Sequence, residues 1–198
     1  DGFWGAIADT FEWHTRPTSI LSGDFSAGRV RWFDGGEVNI TVNALDRHLA
    51  DRGDDVAILW EPNEPVAAER RLTYAELHEA VCAFGASLRA VGIEKGDRVV
   101  LYMPMTPELA VAVLACARIG AVHSVVFAGF SAQALADRIQ DAGAKLVITA
   151  NEGRRGPKSI PLKPVVDEAL GSCPTVEHVI VQAVTDEACS MQKTRDLW

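Results

Sequence analysis

From residue 98 onward, short apolar strands alternate with helical segments, and this pattern constrains the fold more than any other feature. Arg98–Met103, Val122–Phe127 and Lys145–Ala150 read as strands with apolar residues on both faces. Such strands belong in a parallel sheet covered by helices on both sides. Thr106 is placed to cap a helix over Pro107–Ile119, with proline in its first turn and Gly120 closing it. Ser131 caps a second helix, which carries Leu135 and Ile139 on one face and ends at Gly143. A short helix over Pro164–Leu170 ends at Gly171, and His178–Gln182 forms the last strand. The expectation is an α/β fold with a mostly parallel sheet and right-handed crossovers. The polar residues after Gln182 read as poorly ordered.

Upstream, Thr73-Tyr-Ala-Glu76 is a capping box. Tyr74, Leu77, Val81, Phe84, Leu88 and Val91 then recur at helical spacing until Gly92. Val56–Trp60 and Arg70–Leu72 read as the two arms of a hairpin, joined by a turn-like stretch over Glu61–Ala68 that holds Pro62 and Pro65. Residues 1–45 differ. They hold half of the aromatics, including Phe3, Trp4, Trp13, Trp32 and Phe33, yet show neither helical nor strand period. They read as an irregular arm that packs on the larger body formed by residues 46–198.

Composition narrows the function classes. Hydrophobic residues make up 48% and charged residues 23%, as in ordinary globular proteins. The net charge of −8 argues against nucleic acid as a partner. Leu109–Phe130 is apolar, but Arg118, Gly120 and His123 interrupt it, so it reads as helix then strand and no membrane partner is expected. Cys82, Cys116, Cys173 and Cys189 form no CxxC pair, which argues against zinc and disulfides and for a reducing, cytoplasmic setting. No signal-peptide pattern opens the chain, which begins at Asp1 as a processed protein or a piece of a longer one would. Asn39-Ile40-Thr41 matches a glycosylation triplet at the frequency chance allows. His123 reads as structural, and Asp51, Asp54 and Asp55 as surface.

In open α/β sheets, ligands collect at the carboxyl ends of the strands. Two loops here fall at such ends. Phe127-Ala-Gly-Phe-Ser131 turns from strand to helix, with Gly129 allowing close backbone approach. Glu152-Gly-Arg-Arg-Gly-Pro-Lys158 follows the strand ending at Ala150 and concentrates positive charge within an acidic protein. Guanidinium and ammonium groups suit phosphate oxygens. Two parallel strands would bring both loops to one edge, as a site for a phosphorylated, nucleotide-like ligand. A solvated basic loop and a plain strand-to-helix connection remain open readings of the same residues. No GxGxxG, Walker loop, GxSxG elbow or metal-binding His/Glu pair is present, so no catalytic or metal residue is assigned.

Several segments resemble, in order, those of AMP-forming acetyl-CoA synthetases. They are Asn43-Ala-Leu-Asp-Arg-His-Leu49, Leu72-Thr-Tyr-Ala-Glu-Leu77, Lys95-Gly-Asp-Arg98, Tyr102-Met-Pro-Met105, the run Ala115–Ser131 and Ser159-Ile-Pro-Leu-Lys163. The Trp32-Phe33 arm and Arg195-Asp-Leu-Trp198 are similar too. The likeness begins near Phe3 and covers nearly the whole chain. It implies the N-terminal part of the large domain of an acyl-adenylate-forming enzyme. Such an enzyme joins acetate to coenzyme A with ATP and magnesium. The resemblance makes Phe127, Ala128 and Gly129 a wall against the adenine of coenzyme A. Arg155, Gly156, Pro157 and Lys158 would hold the 3′-phosphate-ADP portion, with Ile160 packing nearby. Ala128 and Lys158 depart from the Gly and Arg frequent in bacterial members. Lys158 keeps the charge and loses bidentate geometry, and Pro157 stiffens the loop.

The family's ATP-gripping loop, acetate pocket, hinge and adenylation lysine are not in this sequence. The chain alone is therefore expected to be inactive and to need the remainder of a parent chain as partner. A propionate-preferring ligase, a non-catalytic nucleotide-binding or interaction module, and a structural arm of a larger synthetase are the alternatives.

Overall fold

The computed structural model describes residues 2–63, 68–156 and 158–198. Part of the Glu61–Ala68 turn, including Pro65, lies outside the described residues, and so does Pro157. The chain divides into two compact units, one ending at Arg52 and one beginning at Gly53.

The first unit carries more regular structure than its sequence pattern announces. Helix α1 (Gly2–Ala8) precedes an antiparallel hairpin of β1 (Ser19–Asp24) and β2 (Arg29–Asp34). A short helix α2 (Ile40–Ala44), a 3₁₀ turn (Asp46–His48) and a single helical turn α3 (Leu49–Arg52) follow. The hairpin is invisible to periodicity because neither of its faces is fully buried, so its residues do not alternate. Aromatic contacts hold the unit together. Trp4 meets Trp32 edge-on at 5.4 Å between ring centres, and Trp13 meets Phe33 at 5.7 Å. The Trp13 indole donates to the Ala8 carbonyl at the end of α1. The glycosylation-like triplet has a structural use. Asn39 caps α2, its Oδ1 accepting from the amide and the hydroxyl of Thr41.

In the second unit, β3 (Val56–Trp60) and β4 (Arg70–Thr73) form the expected hairpin. Helix α4 (Tyr74–Ala90) opens with the complete capping box between Thr73 and Glu76. Then come β5 (Arg98–Tyr102), α5 (Pro107–Ile119), β6 (Val122–Val125), α6 (Ala132–Ala142) and β7 (Leu146–Ala150). The chain ends with β8 (Glu152–Arg155), β9 (Lys158–Pro161), α7 (Leu162–Leu170), β10 (His178–Gln182) and β11 (Asp196–Leu197).

Five strands form one parallel sheet in the order β11-β10-β7-β5-β6. Helices α4 and α5 pack together, with α5 on β5 and β6, while α6 and α7 pack together with α7 on β7. Val100 and Tyr102 of β5, Val147 of β7 and Val179 and Val181 of β10 share a buried cluster with Leu135, Ile139, Leu162 and Val166. Fully burying a side chain of this size stabilises by about 1.5–3 kcal/mol, so this cluster is a main source of the unit's stability.

Three expectations change. Thr106 sits at the N-cap of α5 but its side chain makes no capping bond; the hydroxyl donates to Gln182 Oε1 instead. Strand β6 is not buried on both faces, because it lies at an end of the sheet and leaves Val122 and Val125 exposed. The polar stretch after Gln182 is ordered by buried partners. Asp196 pairs β11 with β10, and the Asn151 side-chain amide donates to the carbonyls of Thr185 and Glu187.

Candidate functional site: the carboxyl edge of the sheet

Strands β6 and β7 flank β5 and run parallel to it, so the loops that follow them emerge on one edge. Ala128 from the first loop and Ile160 from the second pack against the same buried cluster. The sheet thus places on one edge the two segments that the sequence singled out.

The first segment is a turn closed by the Phe130 amide donating to the Phe127 carbonyl. It is fixed from below by Tyr102, whose buried hydroxyl donates to the Phe130 carbonyl at 2.8 Å. Ser131 then caps α6, its hydroxyl accepting from the Ala134 amide. Phe127 and Phe130 meet edge-on at 5.9 Å, and the Arg138 guanidinium lies over the Phe130 ring. Phe127 stays 64% exposed, so an apolar ring faces solvent beside Gly129. A Cβ at Gly129 would stand 2.6 Å from the Phe127 ring, so a side chain there would push that exposed ring aside.

The second segment is a hairpin, not the loop the sequence suggested. Strands β8 and β9 pair antiparallel, with Arg155 opposite Lys158 and Gly153 opposite Ile160. Gly156 turns the tip at φ 58°, in the left-handed region. The strands escaped detection because each has four residues without apolar alternation. Directly opposed residues share a face. Arg155, Lys158, Gly153 and Ile160 therefore occupy one face, and Arg154, Ser159, Glu152 and Pro161 the other. Both Arg155 and Lys158 are exposed, and no acidic side chain among the described residues pairs with either. Like charges directly opposite across a hairpin are unfavourable without a counter-ion. The tip thus presents two uncompensated positive charges side by side.

Three supporting residues were not read from the sequence. Asn151, almost fully buried, accepts from the amides of Leu162 and Lys163 through its carbonyl and from Glu152 and Val184 through Oδ1. Glu152 is also buried and is held across the hairpin by the Ser159 hydroxyl. That hydrogen bond, with lesser help from the Thr185 hydroxyl and then Arg154, keeps its carboxyl below the usual range against the opposing effect of burial. Tyr102 is the third. The only sequence signal for any of them is a hydroxyl-bearing aromatic at the carboxyl end of a strand.

The described residues show no group of acids, histidines or cysteines arranged to hold a metal ion. All four cysteines carry free thiols. Burial pushes Cys116 up to about 12 and raises Cys189, so neither is a thiolate nucleophile at neutral pH. No described helix is long and apolar enough to cross a membrane. The arrangement sets two exposed cations and an exposed aromatic ring on one edge of the sheet.

The profile of the AMP-binding enzyme family matches residues 45–196, and that of the acetyl-coenzyme A synthetase N-terminus matches residues 1–44. The chain is 50% identical over 197 residues to an acetyl-coenzyme A synthetase of Syntrophus aciditrophicus, covering 99% of this chain and 30% of that protein. It is 52% identical over 198 residues to one from Syntrophobacter fumaroxidans, covering 100% and 30% respectively. Among solved structures, an acetoacetyl-CoA synthetase from Streptomyces lividans superposes with a TM-score of 0.89 at 30% identity, over 99% of this chain and 30% of that one. The chain thus spans about 30% of the length of the curated relatives it matches. With its parallel sheet, its covering helices and a family profile over most of its length, the chain belongs to the AMP-binding enzymes.

Proposed function

We propose that the whole protein ligates acetate to coenzyme A through an acetyl-adenylate, and that this chain supplies part of the coenzyme A site. The supporting observation is the like-charged pair Arg155 and Lys158, presented on the sheet edge that also carries Phe127–Gly129. It occurs in a chain half identical to proteins named acetyl-coenzyme A synthetases. The adenine lies against Phe127, Ala128 and Gly129. Arg155 and Lys158 neutralise the 3′-phosphate, the turn at Gly156 brings backbone close to it, and Ile160 packs beneath.

The chemistry explains why the nucleotide end of coenzyme A is held apart from the reacting atoms. A carboxylate is a poor electrophile. An acetate oxygen attacks the α-phosphorus of ATP and pyrophosphate leaves. The coenzyme A sulfur then attacks the acyl carbon and AMP leaves. Both steps use residues beyond this chain, as does binding of acetate, ATP and magnesium. This chain's residues bind and orient the second substrate. We place the reaction in the cytoplasm on the free thiols.

The acyl group is a separate question. The structural neighbour at TM-score 0.89 is named for acetoacetate, whereas the more similar relatives are named for acetate. This favours acetate and keeps a longer acyl chain such as propionate as the second reading. Comparing rates with acetate, propionate and acetoacetate in the full-length enzyme decides between them. Measuring the Michaelis constant for coenzyme A in Arg155→Ala tests the site.

A further inference from the structure

The β8–β9 ladder is short, and by itself contributes little to holding one shape. It comprises four residue pairs, Gly153 contributes no side chain, and Pro161 offers no amide to the ladder opposite Glu152. An isolated two-stranded hairpin is marginal in water. Yet Arg155 and Lys158 must stand in one geometry to meet a phosphate group.

The face turned away from those cations carries the means. Glu152, Arg154, Ser159 and Pro161 line a polar cavity of about 490 Å³ together with Glu187 and Ser190, and neither Arg155, Lys158 nor Ile160 reaches it. Of these residues Glu152 is only 7% exposed. The Ser159 hydroxyl donates across the hairpin to Oε2, and the Arg154 Nε stands 3.7 Å from Oε1. The Glu152 amide donates to Asn151 Oδ1, which ties the same residue to the end of β7. One buried carboxylate of β8 is thus tied to β9 through Ser159, with the Arg154 cation beside it on the same face.

We infer that Glu152 is a positioning residue for coenzyme A: it fixes the hairpin so that Arg155 and Lys158 face the phosphate. This rests on the coenzyme A reading above. Glu152 touches no substrate and acts through its neighbours.

The test uses the full-length ligase and two assays, the coenzyme A dependence of the overall reaction and acetate-dependent ATP–pyrophosphate exchange, which needs no coenzyme A. Glu152→Ala is expected to raise the Michaelis constant for coenzyme A about three- to tenfold, the range of one intramolecular hydrogen bond, with exchange at the wild-type rate. Glu152→Gln, which still accepts from Ser159, restores most of the loss. Glu152→Ala combined with Arg155→Ala loses less than the sum of the two single losses, because the clamp works in part through that cation. Ser159→Ala, a smaller change for the fold, moves the constant in the same direction. If Arg155→Ala impairs coenzyme A use while Glu152→Ala and Ser159→Ala do not, the clamp is wrong and the site stands. If Arg155→Ala is itself normal, the site falls and the clamp with it. Equal loss of exchange, or full additivity with Arg155→Ala, also overturns the clamp.

Discussion

Lys163 Nζ lies 2.8 Å from Asp196 Oδ2, and neither side chain is accessible to solvent. Lys163 also meets Asp167 at 2.8 Å and donates to the Ser190 carbonyl, while Arg195 bridges Asp167 and Asp196. Two cations and two carboxylates thus cancel in one network that fastens the last residues to α7. Burial pushes the Asp196 carboxyl up, but hydrogen bonds from Arg195 and Lys163 outweigh it and hold it at about 2.

Asp196→Asn leaves Lys163 with one carboxylate instead of two. Removing one partner of a buried pair costs about 3–5 kcal/mol, and Asp167 places this case at the lower end. The unfolding midpoint at neutral pH is expected to fall clearly. The sign with pH follows from the lowered value. The Asp196 contribution is complete above the ordinary carboxylate range near 3.8 and is lost as pH falls through about 2. The gap between wild type and Asp196→Asn should therefore close between these limits. A gap that stays constant down to pH 2 contradicts the assignment.

The helix stripe of α4 gives a second prediction. Leu88 is fully buried, whereas Phe84 is only half-buried beside an open groove that also holds Val91 and Trp198. Leu88→Ala is expected to cost about 2–5 kcal/mol. Phe84→Ala costs less than its size implies, because the ring already meets solvent. Glu79→Ala, on the exposed face, changes little. Thermal midpoints of the three variants check the order, and Phe84 proving the most damaging reverses the assigned burial.

Much of this fold is legible in the sequence, and the reason is visible in particular residues. The strands around Val99–Leu101 and Leu146–Ala150 are buried on both faces, so their apolar runs report them directly. Thr73 and Glu76 announce the start of α4 because capping is a local interaction. What escapes is long-range. The order of residues 183–198 depends on Lys163 and Asn151, and a polar segment looks solvated until its distant partners are known. The candidate site divides the same way. Phe127–Gly129 and Arg155–Lys158 stand out as strand-end segments, whereas Glu152 and Tyr102 act through contacts that no spacing encodes.

The 198-residue chain by itself is expected to show no acetate-dependent ATP–pyrophosphate exchange. It spans about 30% of the length of the acetyl-coenzyme A synthetases it resembles. Exchange above the buffer blank from the purified chain would place adenylation chemistry within it and contradict the division of labour proposed above.

The most direct test concerns Arg155 in the full-length enzyme. A hydrogen bond to a charged partner is worth roughly 1.5–3 kcal/mol, and each ~1.4 kcal/mol is tenfold. Arg155→Ala is therefore expected to raise the Michaelis constant for coenzyme A roughly 10- to 100-fold, with pyrophosphate exchange near wild type. Lys158→Ala acts in the same direction and more weakly, because an ammonium lacks the guanidinium's paired donors. Dephospho-coenzyme A, which lacks the 3′-phosphate, should show little difference between wild type and Arg155→Ala. Unchanged coenzyme A kinetics in Arg155→Ala, or an equal loss of exchange, would contradict the hairpin's role as the phosphate site.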